Sequence, residues 1–85
     1  MPKVKNMPHS LVVVQWLDSA EPMDNSEIEE VDFPEPQEIY QVGMLVREAD
    51  EYITVASAYK PDPGRSSYDY VISIPRAAII KLTML

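Results

Sequence analysis

Apolar and polar residues alternate with a period of two along the second half of the chain, and that pattern predicts strands, not helices. Across residues 39–48, Tyr40, Val42, Met44 and Val46 alternate with Ile39, Gln41, Gly43, Leu45 and Arg47. On the following run, 51–59, Ile53 and Val55 share one face while Tyr52, Thr54 and Ala56 share the other. Residues 68–74 put Tyr68, Tyr70, Ile72 and Ile74 on one side. Two further runs, 11–17 and 79–84, are short and rich in β-branched and apolar residues, as strands are. Five β elements are therefore expected.

The residues between these runs say how they connect. Ala49-Asp50 is polar and short enough for a tight turn, so 39–59 reads as a β-hairpin with an acidic tip. Gly43 inside a strand predicts a bulge or a sharp bend. Residues 60–67 form a loop punctuated by Pro61, Pro63 and Gly64. Pro75 suits the first position of a single helical turn, where its missing N–H costs nothing. Residues 18–38 contain Pro22, Pro34 and Pro36 and little periodicity, which predicts a long loop. Within it, Ser26 could cap one turn of helix running to Val31, with Glu29 completing a capping box. Residues 1–8 read as a flexible N-terminus.

The order strand, long loop, hairpin, strand, single turn, strand resembles the SH3-like and Sm-like small barrels over about residues 9–85. The best match is Ile72-Ser73-Ile74-Pro75-Arg76-Ala77-Ala78-Ile79, which is similar to the segment where a short 3₁₀ turn joins the last two strands of those folds. The resemblance implies an all-β, small five-stranded SH3-like/Sm-like barrel with a long acidic loop between strands 1 and 2. It does not extend to binding of Pro-rich peptides, because the acidic loop lacks the Tyr and Trp of an aromatic ladder. A fold of this kind sets no activity by itself.

Charge changes the picture more than composition does. The chain has 85 residues, one domain's worth, and a net charge of −7. Nine acidic residues and no Lys or Arg lie between Asp18 and Glu38, leaving five acidic against seven basic elsewhere. The acidity belongs to one segment. An acidic run repels phosphate backbones, so direct binding to nucleic acid is not expected. No apolar run approaches the ~20 residues of a membrane span, and no signal peptide is evident. With no cysteine, disulfides and thiolate sites are excluded. A cytoplasmic protein is the expectation.

No group of residues points to catalysis. His9 is the sole histidine and stands in a Pro-flanked stretch where exposure is expected, so a His-based triad or His-rich zinc site cannot form within one chain. Asp24-Asn25-Ser26-Glu27 lacks the alternating ligands and central Gly of a calcium loop. No enzyme activity, catalytic residue, metal or cofactor is expected. What remains is a set of cations and aromatics outside the acidic loop. Arg47 and Arg76 carry planar forks that take a phosphate or carboxylate in two bonds, and Lys81 adds a third positive charge. Tyr68, Tyr70 and Trp16 offer stacking faces. These six residues are the expected ligand-binding set. Residues 79–85 are apolar on both faces, which one small barrel cannot cover alone, so a homo-oligomer is expected.

A second resemblance runs through most of the chain. Val12-Val13-Val14-Gln15-Trp16-Leu17-Asp18-Ser19, Gln41-Val42-Gly43-Met44-Leu45-Val46-Arg47-Glu48, Tyr52-Ile53-Thr54-Val55-Ala56 and Ile74-Pro75-Arg76 look like short uncharacterised proteins encoded by tailed phages and prophages. That resemblance implies an accessory viral protein working in the host cytoplasm, and transfers no catalytic residue. Two partners are compatible with it. One is a small anionic, nucleotide-like ligand of host defence, sequestered between protomers. The other is a host protein, gripped by the acidic segment through nucleic-acid mimicry or docking on a basic groove.

Overall fold

All five expected runs become strands. The computed structural model describes residues 7–19, 27 and 29–85, and in it the strands are β1 (Ser10–Asp18), β2 (Gln37–Glu48), β3 (Tyr52–Lys60), β4 (Ser67–Pro75) and β5 (Ile79–Met84). All pairs are antiparallel in one sheet, ordered β4-β3-β2-β1-β5. Two 3₁₀ turns complete the described elements, Glu30–Asp32 and Arg76–Ala78. The second stands where Pro75 predicts it. The first falls later than the expected turn over 26–31 and has no side-chain cap. Ser26 and Ile28, like residues 1–6 and the rest of 20–26, lie outside the described residues.

Period-two alternation puts one row of each strand on a common inner face. Val12, Val14 and Trp16 of β1 meet Leu45 of β2, Ile53 and Val55 of β3, and Ile74 of β4, all buried. Each fully buried Val or Ile contributes about 1.5–3 kcal/mol by leaving water. Ile39, Ile72, Ala78, Ile79 and Leu82 pack around them.

Curvature comes from β2. Its residues 37–45 pair with β1, whereas 44–48 pair with β3, so one strand serves both halves of the sheet. Gly43 sits at the changeover. A Cβ there would lie 2.7 Å from both the Ala56 carbonyl oxygen and Val55 Cγ1. The glycine permits a close approach of β3, and the bulge itself falls beyond it, between Leu45 and Arg47. That extra residue also moves the hairpin turn by one position. The Ala49 N–H donates to Tyr52 O at 2.9 Å, which puts Asp50-Glu51 at the turn's centre in place of Ala49-Asp50.

The expected barrel is not closed by hydrogen bonds. β4 and β5 are the sheet's outer strands and do not pair with each other. They are joined by the turn Arg76–Ala78 at one end. Towards the other end, His9 reaches the aromatic pair on β3 and β4. Its Nε2 is 2.8 Å from Tyr68 Oη, and its ring meets Tyr59 edge-on at 5.7 Å. His9 is therefore half-buried, not freely exposed. The sheet curls over its core and leaves both edges open among the described residues.

Candidate functional site

The two arginines of the expected set converge on the β2–β3 hairpin. Arg47, near the end of β2, donates from Nη1 to Tyr52 Oη at 3.3 Å. Arg76 follows Pro75, whose cross-strand partner is Tyr52. Its backbone N–H donates to Glu51 O at 2.9 Å and its Nε to Ala49 O at 2.8 Å. The Pro75 turn thus delivers Arg76 to the hairpin's backbone. Both guanidiniums stay exposed and neither forms an ion pair with a described carboxylate, even beside Glu48, Asp50 and Glu51. Among the described residues the ion pair lies elsewhere, between Lys60 and Asp69 at 3.2 Å.

The tyrosines do not join them. Tyr68 pairs with Tyr59, seven residues along β3 from Tyr52, or roughly 23 Å at ~3.3 Å per strand residue. There it stacks on Tyr59 with centroids 5.2 Å apart and binds His9, so its face is already used. Tyr70 is different. Its φ of 54° lies in the left-handed region, unusual for a bulky side chain, and swings the ring out until it is 82% exposed. The shared face expected for Tyr68, Tyr70, Ile72 and Ile74 is broken at this residue. Strain of this sort is kept only where surrounding structure imposes it, often at binding surfaces.

Trp16 is a core residue. It is buried between Ile39 and Ile79 in register, and its Nε1 has no acceptor among the described residues. It offers no stacking face to a ligand on the surface. Lys81 lies on the outer face, lining an open recess of about 180 Å³ with Val13, Gln15, Tyr40 and Thr83. In the same region Gln15 Nε2 donates to Glu38 Oε1, as does Tyr40 Oη at 2.9 Å. The Glu38 carboxylate, through this hydrogen bond and its charge, raises the Tyr40 phenol above its ordinary pKa of 10.0. Sequence reasoning missed Gln15, Glu38 and Tyr40. A polar Gln amid the apolar run of β1 was the available signal.

A second open recess, of about 210 Å³, connects Arg47 with His9, Val46 and Met84. Both recesses fall below the ~300–1,000 Å³ of ordinary small-molecule pockets. Among the described residues, no three His, Asp or Glu side chains are grouped to hold a metal ion, and no described helix is long and apolar enough to cross a membrane. Comparison with protein-family models, curated proteins and solved structures finds no match.

Proposed function

We propose that this chain is a non-enzymatic binding protein of the phage accessory type, which sequesters a small anionic, nucleotide-like ligand in sites completed by a second protomer. The observation that carries the reading is the arginine pair. Arg47 and Arg76 are held on a hydrogen-bonded hairpin by neutral partners, Tyr52 Oη and Ala49 O, so their charges stay available to an anion. Anchored guanidiniums lose little freedom on binding and can grip a phosphate in two bonds. Recesses this small favour a ligand shared between copies.

Thermal melting against a panel of nucleoside mono-, di- and cyclic phosphates tests the reading, since a ligand of the folded state raises its melting temperature. Arg76→Ala is expected to weaken the responding ligand by about 1.5–3 kcal/mol, the worth of a hydrogen bond to a charged group. Arg76→Lys keeps the charge without the fork and should fall between. No response from any nucleotide, or an unchanged response in Arg76→Ala, would count against the site.

One observation favours the alternative of an acidic inhibitor that grips a host protein. Val31 and Phe33 are 86% and 60% exposed among the carboxylates of the 18–38 segment. Apolar anchors within an acidic stretch suit a basic protein groove. Excising that segment separates the two readings.

A further inference from the structure

The two open edges of the sheet are not alike. The β4 edge carries the left-handed Tyr70, the Lys60–Asp69 ion pair and a terminal Pro75, devices that discourage further strand pairing. The β5 edge has one charge, Lys81, and no proline. Ile80, Met84 and Leu85 are about half exposed along it. A bulge between Gln15 and Trp16 sets Ile79 opposite Trp16 and leaves Ile80 unpaired with β1 and half exposed. The stretch 79–85, expected to be buried on both faces, leaves Ile80, Met84 and Leu85 half exposed among the described residues, while Ile79 and Leu82 pack on the core.

We infer that β5 pairs antiparallel with β5 of a second copy, making one continuous ten-stranded sheet across a two-fold axis. The backbone selects which residues take part. The Leu85 N–H donates to Leu11 O at 2.9 Å. In an antiparallel ladder, peptide groups face alternate neighbours along the strand. Lys81, Thr83 and Leu85 thus point theirs at β1, while Leu82 and Met84 point theirs at the open edge.

Charge then selects the register. A two-fold axis normal to the sheet keeps the inner face with the inner face, so a β5 residue meets either itself or a residue of the same face. Centring on Lys81 would set two like charges opposite each other, which is destabilising. Centring on Thr83 would set Lys81 opposite the partner's apolar Leu85. Centring on Leu82 avoids both. Leu82 meets the partner's Leu82, Ile80 meets the partner's Met84, and Lys81 meets the partner's Thr83. The exposed apolar side chains at both ends of the strand then cover each other. A second copy is the occupant because the strand complements itself.

The pairing has a consequence on the outer face. Lys81 and Thr83 both line the recess that includes Gln15 and Tyr40, so the two-fold sets two such recesses side by side. This supplies a position between protomers for an anion, and that use rests on the ligand-binding reading above. The dimer does not, and the two are measured separately.

Sedimentation equilibrium of the full chain at micromolar concentration should give twice 9.7 kDa. The double variant Ile80→Lys with Met84→Lys should be monomeric with an unchanged far-ultraviolet spectrum. Ile80→Lys with Met84→Glu should dimerise again, because the introduced charges face each other across the axis, and salt should weaken it. A second measurement does not depend on those variants folding. The chain has no cysteine, and Leu82→Cys should cross-link on oxidation, since paired Cα atoms lie ~5.5 Å apart in such a ladder. Thr83→Cys should not. A wild-type monomer, an assembly larger than a dimer, or cross-linking through Thr83→Cys in place of Leu82→Cys overturns the inference. Nucleotide-induced melting shifts, recorded on the wild type and on the Lys double variant, read the ligand site independently. A dimer without any shift leaves the pairing intact and removes the ligand reading.

Discussion

Single residues in this sheet are set by their neighbours on the same strand as well as by those across from them. Tyr40 shows it most plainly. Its hydroxyl donates to Glu38, two positions along β2, and the carboxylate's charge makes loss of the phenolic proton harder. The phenol's pKa is raised in the folded protein, so the protonated form is favoured there. Any stability this contributes is fully present below the unfolded pKa and is lost as pH rises through the folded value. Titrating tyrosinate absorbance should therefore show one phenol ionising above the normal range. Glu38→Gln should return it towards 10.0. No change on substitution would mean that the hydrogen bond does not persist in solution. This contact was not legible in the sequence, since Glu38 counted there only as one more charge of the acidic run. Trp16 erred the opposite way. An aromatic was expected to serve as a ligand face, yet its place in the inward row of β1 gives it to the core.

At the scale of elements the sequence was most readable where period-two alternation was strong. Runs 39–48, 51–59 and 68–74 became β2, β3 and β4 with ends shifted by one or two residues. Alternation fails to show extra residues, and so the bulges near Val46 and Ile80 were not placed beforehand. Gly43 was flagged as a bend, and its reason is now specific. With the Ala56 carbonyl 2.7 Å from a would-be Cβ, the obstruction is backbone and cannot rotate away. Gly43→Ala should destabilise by about 1–3 kcal/mol, the usual cost of overpacking, as read from urea unfolding with unchanged m. A loss below ~0.5 kcal/mol would mean that β2 and β3 separate freely at this point. The candidate site followed the same logic. Arg47 and Arg76 were assigned from charge and turn position and do share the hairpin, whereas Tyr68 and Tyr70 lie at the other end of β3. Sequence order cannot reveal that distance until strand register is known.

For the whole molecule, the division of charge raises the question of which part does the binding. Asp18 and Gln37 are already cross-strand partners at the end of the β1–β2 ladder, so the segment between them closes no distance that a short turn could not. Replacing residues 19–36 with a short Asn-Gly turn should leave the fold intact. By loop-closure entropy it should gain up to about 2 kcal/mol of stability. The replacement removes seven acidic residues and no basic ones, taking the net charge from −7 to near zero. If the arginine hairpin binds an anion, affinity should then rise modestly at low ionic strength. The gain should disappear as salt screens the lost repulsion. Binding that is abolished instead, with Arg76→Ala harmless, would assign the function to the acidic segment and its exposed Val31 and Phe33. In that case the partner is a basic protein surface, and the sheet serves to display the loop.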